Sequence, residues 1–401
     1  MARTVRRVHA TGARPHAIAR WFATTLAVIF AVAAGPAVHG QAVRPRARAL
    51  GVPFTGAPGP LNAITDVAGV EVGHTTIVRG DGPLVVGQGP VRTGVTAVLP
   101  RGKRWAPVFA GWFAGNGFGE MTGAPWVVEG GVLGGPVMIT GTYSVGAVRD
   151  AVNSWFHESL KQVIPWHQPV VGETSDAFLN DGQGQHVTKT HVFAALDGAR
   201  AGPVPEGNVG GGTGMVAHGF KGGIGTSSRV TGDYTVGVLV QANYGTRESL
   251  TIAGVPVGRE ITGAERRRAA APPADRDGSI IVVVATDAPL LPHQLERVAR
   301  RVPMGIARLG GTASNGSGDI FIAFSTANPG AAADTGVTPI TWLPNGDLTP
   351  LFDATVEATE EAIVNALVAA QTMTGVNGNT AHALPIDQMQ ALLRKYGRLA
   401  P

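Results

Sequence analysis

The sequence predicts a mixed α/β protein rich in sheet, and three observations carry that prediction. Short β-branched runs are punctuated by glycine, the pattern of strands joined by tight turns. Other segments repeat apolar residues every three or four positions, as one buried helical face does. Finally, the 57 glycines in 401 residues far exceed the usual ~7% and lack a collagen-like period, which implies many tight turns and close backbone approaches.

Residues 1–40 read as a secretory leader. Five arginines and no acid precede an apolar run from Trp21 to Ala34, and small residues follow up to Gly40, as in a signal peptide. The run is shorter than the roughly 20 residues of a spanning helix. The expectation is therefore cleavage near Gly40, no stable membrane anchor, and a periplasmic or secreted mature chain. Residues 41–60, rich in Arg and Pro, read as an extended lead-in to a single domain covering 61–401.

Within that domain, residues 69–78, 94–100 and 136–140 read as strands and make the first half rich in sheet. From Ser144 to Gln162, the spacing of Val145, Val148, Val152, Trp155 and Phe156 predicts a helix. Further strands are expected over 234–240, 280–285 and 319–326. Between and after them come a helix starting at Pro292 with Leu295, Val298 and Val302 inward, another from Thr355 to Met373, and a last one from Ile386 to Tyr396. Residues 265–277, charged and proline-containing, read as an exposed loop.

Composition removes several function classes. Without the leader's five arginines, 27 Lys and Arg face 28 Asp and Glu, so the formal charge of +4 belongs to the leader. The only basic block is Arg266-Arg267-Arg268, which gives no electrostatic footprint for nucleic acid. Zero cysteines exclude disulfides, Cys-zinc sites and a thiol nucleophile. His157, His167, His186, His191 and His218 form neither His-Glu-x-x-His nor an i, i+4 pair. No metal or cofactor is expected. The glycine run from Gly207 to Gly214 is not followed by a helical pattern, as a dinucleotide cradle would be, so it reads as close backbone packing. Neither Gly-x-Ser-x-Gly nor Ser-x-x-Lys occurs, which removes two common serine-nucleophile routes.

One junction fits a different route. The 265–277 loop ends at Gly278-Ser279, directly before the run Ile280-Ile281-Val282-Val283-Val284-Ala285. An N-terminal nucleophile needs a rigid place at the start of a strand and an upstream neighbour that can leave. A serine freed there would carry an α-amine with a reference pKa of about 7.7–8.0, able to act as base for its own hydroxyl. Taken alone, Gly-Ser before a strand is ordinary turn chemistry.

Four stretches give it context. At 207–215 (Gly-Asn-Val-Gly-Gly-Gly-Thr-Gly-Met), 238–245 (Val-Leu-Val-Gln-Ala-Asn-Tyr-Gly), Asp277-Gly278-Ser279 and 315–320 (Asn-Gly-Ser-Gly-Asp-Ile), the sequence resembles the L-aminopeptidase/D-amidase-esterase and β-aminopeptidase family. The match runs over roughly residues 48–400. The resemblance implies an αββα four-layer sandwich similar to the N-terminal-nucleophile hydrolases but differently connected. It also implies a precursor cut between Gly278 and Ser279 into two chains, 41–278 and 279–401.

By the same resemblance, Ser279 is the nucleophile, Ser317 and Asp319 position its hydroxyl and amine, Asn243 donates to the oxyanion and Glu173 receives the substrate's amine. The family pattern leads one to expect a tyrosine where this chain has Ser175. The implied activity is removal of an N-terminal residue from short peptides, amides or esters through an acyl-enzyme, by a homo-oligomer of the two-chain unit. Two alternatives stand beside it: an acyltransferase like the ornithine acetyltransferases, which use a threonine nucleophile, and an uncut, non-catalytic binding protein of the same fold. Nothing in the sequence selects among L-, D- and β-configured substrates.

Overall fold

The β-branched runs pair into two sheets that stack face to face, because their strands carry apolar residues on both sides. The computed structural model describes residues 45–164, 167–261, 278–331, 333 and 335–399. The expected leader and the 265–277 loop lie outside the described residues. Among the described residues, no helix is long and apolar enough to cross a membrane.

In chain order, β1 (Glu71–Arg79), β2 (Val91–Leu99) and β3 (Val108–Gly117) lead to α1 (Ala124–Gly130), the short β4 (Val132–Leu133) and β5 (Val137–Gly141). Next come α2 (Val145–Glu158), β6 (Val170–Thr174) and α3 (Lys189–Asp197). A buried 3-10 turn at Gly210–Gly214 precedes the hairpin of β7 (Val216–Ala217) and β8 (Phe220–Lys221). The long β9 (Gly223–Thr231) and β10 (Tyr234–Tyr244) follow, then α4 (Val257–Glu260) and β11 (Gly278–Thr286). The chain continues through α5 (Pro292–Ala299), α6 (Val302–Arg308), β12 (Gly318–Ser325) and α7 (Thr349–Ala369), and ends with β13 (Met373–Thr374), β14 (Thr380–Ala381) and α8 (Ile386–Lys395).

One sheet has the order β1-β2-β5-β6 and the other β4-β3-β12-β11-β10-β9. Their facing sides interdigitate through Val72, Val98, Ile139 and Val170 from the first, and Leu239, Ile281, Val283 and Ile322 from the second. On its outer side the first sheet packs Val95, Met138 and Val171 against Val152, Trp155 and Phe156 of α2 and Val192 of α3. The outer side of the second, with Val238, Val282 and Phe321, is covered by Leu295 of α5, Ile306 of α6, Ile363 of α7 and Met389 of α8. Layers therefore run helix, sheet, sheet, helix, the αββα sandwich that the family resemblance implied. Ile320, Ile322 and Phe324 alternate toward the inter-sheet core, and β12 is the parallel neighbour of β11.

Three element bounds differ from the sequence expectation, each for a local reason. The helix from Pro292 divides at Arg300-Arg301, where Pro303 in the first turn of α6 lacks an N–H and cannot continue the preceding helix. The long C-terminal helix begins earlier, at Thr349, with Pro350 in its first turn, a position that proline tolerates. Strand β10 extends past Val240 to Tyr244, which carries Asn243 into the sheet.

Candidate active site

The register of the second sheet assembles the site. In the antiparallel pairing of β10 with β11, Asn243 lies directly across from Ser279 and Tyr244 across from Gly278. On the other side, the parallel pairing with β12 sets Gly318 beside Ser279. Paired residues share a face, so the Asn243 and Ser279 side chains emerge on the inter-sheet side at the strand ends. Ser279, Asn243, Ser317 and Asp319 are all buried.

Gly278 has φ +76, and a Cβ there would come within 1.7 Å of the Asn243 carbonyl oxygen. Only glycine fits that conformation and that approach. The residue that precedes the serine is thus dictated by the strand beside it.

The Ser279 hydroxyl oxygen accepts from the backbone N–H of Gly318 at 3.3 Å. Ser317 Oγ donates to Asp319 Oδ1 at 2.6 Å, and Asn116 Nδ2 donates to the Ser317 carbonyl, pinning the turn from β3. The Ser-Gly-Asp turn therefore meets Ser279 through its middle backbone amide, while its two side chains engage each other. Tyr244 lies beside Asp319: burial first, and then that negative charge, raises the phenol's pKa well above its ordinary value.

Asn243 has a fixed amide orientation. Its Oδ1 accepts from the backbone N–H of Val216 at 2.8 Å. With its oxygen held, the Nδ2 group is the end left to donate.

Glu173 sits at the end of β6 in the other sheet. Its Oε1 accepts from the Glu120 N–H at 3.0 Å, and Oε2 accepts from the Thr142 hydroxyl. The segment after β3 crosses between the sheets at this point, with Gly119 between the two halves of the site. A Cβ on Gly119 would lie 3.2 Å from Glu173 Oε1 and 3.0 Å from Gly318 Cα, so Glu173 is brought to the same mouth as Ser279. Burial raises the Glu173 pKa, opposed by the Thr142 and Glu120 hydrogen bonds. Nearby Asp176 is pushed up to about 6, again chiefly by burial. Ser175, between these two carboxylates, is exposed.

The sequence-derived residues are thus gathered around one end of β10, β11 and β12, with Asn243 and Ser279 on the inter-sheet side and Asp319 toward Tyr244 on the helix-covered side. Sequence reasoning did not find the Gly318 amide, Thr142 or Val216, which act through backbone groups or a lone hydroxyl with no pattern of their own. Such a corner presents a hydroxyl, a carboxylate-linked turn, an amide donor and a second carboxylate, the parts needed for acyl transfer from a substrate that carries an amine.

The chain as a whole is similar to known peptidases. Residues 62–381 match the model of peptidase family S58. Over 387 residues, covering 92% of this chain and 98% of the relative, the sequence is 54% identical to beta-peptidyl aminopeptidase BapA of Sphingosinicella microcystinivorans. Among solved structures, the L-aminopeptidase D-Ala-esterase/amidase of Ochrobactrum anthropi, a serine aminopeptidase with a variant of the Ntn hydrolase fold, superposes with a TM-score of 0.81 at 46% identity. That match covers 89% of this chain and 100% of the other. A beta-aminopeptidase of Burkholderia sp. superposes with a TM-score of 0.80 at 45% identity, covering 88% of this chain and 99% of the other.

Proposed function

The chain belongs to peptidase family S58 and is an aminopeptidase, and from that membership we propose that Ser279 first cuts its own chain and then serves as the N-terminal nucleophile toward peptides. The acyltransferase and the non-catalytic alternatives do not fit that family. The observation that carries the proposal is the register that sets Asn243 across from Ser279 on one side and the Gly318 amide against the Ser279 hydroxyl on the other.

In maturation, Ser279 Oγ attacks the Gly278 carbonyl carbon. The C–N bond breaks, the hydroxyl proton passes to the departing nitrogen, and an ester joins Gly278 to the serine oxygen. Water then hydrolyses that ester, leaving a Gly278 carboxylate and a free Ser279 amine. The neutral amine is the base for the next attacks, with Ser317 and Asp319 beside it to orient and balance its protonated form. Asn243 Nδ2 faces the oxygen on which negative charge develops, a contact whose loss typically costs about 10²–10³ in rate.

Glu173 is the partner for the substrate's ammonium. A carboxylate whose donors are neutral and whose burial disfavours its charge gains most from a cation. The 54% identity to a beta-peptidyl aminopeptidase, together with the small Ser175 beside Glu173, supports a substrate whose free amine is on the β-carbon. The reading also includes export to the periplasm or beyond, from the 1–40 leader, and a closed homo-oligomer, the usual form of soluble assemblies.

Three p-nitroanilides test the substrate reading: one with a β-amino residue, one with an α-amino residue, and the β-compound N-acetylated. Turnover of the first above the second, and none of the third, is expected. Equal turnover of the acetylated compound would remove Glu173 as amine receptor, and preference for the α-compound would overturn the substrate class.

A further inference from the structure

A buried cation needs a counter-ion or a full set of acceptors. Lys221, in β8, has no exposed surface. Its ammonium nitrogen donates to the carbonyls of Met215 at 2.8 Å, Gly222 at 2.8 Å and Gly212 at 3.2 Å, so three N–H groups meet three oxygens. Burial draws its pKa down to about 7, while the three carbonyl acceptors favour its charged form. An apolar side chain would fill the space without that desolvation cost, so what the ammonium touches is informative.

The Met215 carbonyl and the Val216 N–H are the two ends of one peptide unit, and the Val216 N–H is the donor that holds Asn243 Oδ1 at 2.8 Å. A peptide is planar and rigid, with C=O and N–H pointing opposite ways. A cation held on the oxygen therefore aims the N–H. It also draws electron density from the amide nitrogen, which makes that N–H a better donor, and the same polarisation passes through the conjugated Asn243 carboxamide to Nδ2. The second lone pair of the Met215 oxygen accepts from Gly222 N–H at 2.9 Å, which locks the unit further.

We infer that Lys221 is a positioning residue for the oxyanion donor: its charge, carried through the Met215–Val216 peptide, fixes and strengthens the Asn243 amide facing the carbonyl that Ser279 attacks. This rests on the reading of Asn243 as that donor. Lys221 touches no reacting atom, and its effect belongs to the transition state, where charge on the carbonyl oxygen is largest.

A double-mutant cycle tests it, with kcat and KM measured per cut chain. Asn243→Ala should lower kcat about 10²–10³-fold. Lys221→Gln, which keeps neutral donors and removes the charge, should lower kcat about 10-fold or more, as supporting partners of a site do, with KM changed less than about twofold. In the Asn243→Ala background, Lys221→Gln should then change kcat by less than about twofold. Val216→Pro reaches the same relay from its other end if Lys221→Gln does not fold. Met215 already has φ −81 and ψ 147, the region that a residue before proline prefers, so this variant suits the preceding backbone while it removes the N–H, and it should lower kcat in the same direction as Lys221→Gln does. The same fold-loss from Lys221→Gln in both backgrounds, or a loss confined to KM or to melting temperature, would overturn the inference while leaving Asn243 in place. An unchanged kcat in Asn243→Ala would instead remove the oxyanion reading, and this inference with it.

Discussion

Glu361 in α7 and Glu173 in β6 are both buried, at 0% and 5% exposure, yet they are furnished in opposite ways. Glu361 meets two guanidinium groups, Arg48 at 2.9 Å and Arg229 at 2.8 Å, and the amide of Asn62. It thereby clamps the segment around residues 48–62 to α7 and β9, so that residues 48–60 of the expected lead-in are part of the packed body. Among the described residues, Glu173 has the Glu120 amide and the Thr142 hydroxyl as donors, and burial pushes its pKa up. A carboxylate already saturated with cations is a structural fastener. One given neutral donors near Ser279 has the furnishing that the proposed function asks of a receptor for the substrate's cation.

The largest effect that separates the two is on stability. Glu361→Leu would take from Arg229, whose side chain is 1% exposed, its closer carboxylate and leave the longer pair with Glu357 at 3.6 Å; it should cost about 3–5 kcal/mol, as breaking a buried pair does. Denaturant melts should record the loss while kcat per folded molecule stays unchanged. A drop in kcat at unchanged stability would break the comparison.

Glu173→Gln should do the reverse. Losing a charged hydrogen bond of about 1.5–3 kcal/mol to the substrate ammonium lowers kcat/KM about 10–100-fold, without lowering the melting temperature. Its pH signature follows from the direction of the shift. The folded pKa of Glu173 is raised, so on acidification the wild type loses this carboxylate sooner than an ordinary one, in addition to losing the neutral Ser279 amine. The logarithm of kcat/KM should fall with a slope of about two at acidic pH in the wild type and about one in Glu173→Gln. Equal slopes would place the carboxylate outside substrate binding.

Asp176→Asn sharpens the contrast with the smallest effect. Because its folded pKa is raised from 3.8 to about 6, the protonated form favours folding below the unfolded value, and that contribution is lost as pH rises through about 6. At pH 8 the variant should therefore be more stable than the wild type by about 1–3 kcal/mol, with the difference vanishing below about pH 4. Melts across pH check it.

The parts of this architecture that were legible in the sequence are those where propensity and packing agree. β11 and β12 are dense in β-branched and aromatic residues, and α2 presents its apolar stripe at helical spacing. Strands β3 and β9 were not legible because their packing demands glycine. A Cβ at Gly111 would lie 2.1 Å from the Glu296 amide nitrogen of α5, and one at Gly225 would lie 2.0 Å from the Ala362 oxygen of α7. Residues that let a helix settle against a sheet read, in one dimension, as strand breakers. In the site, Ser279, Asn243, Ser317, Asp319 and Glu173 could be named because they fall in recognisable motifs. Lys221 could not, since its meaning lies in which end of a peptide it holds, and that exists only after β7 and β8 have paired.

The central claim, that Ser279 cuts its own chain, is tested most directly by the intact masses of purified wild-type protein and Ser279→Ala. The account predicts two chains in the wild type, the smaller running from Ser279 to Pro401, and one uncut chain in the variant. A single chain in both, or a cut that persists without the Ser279 hydroxyl, would contradict it.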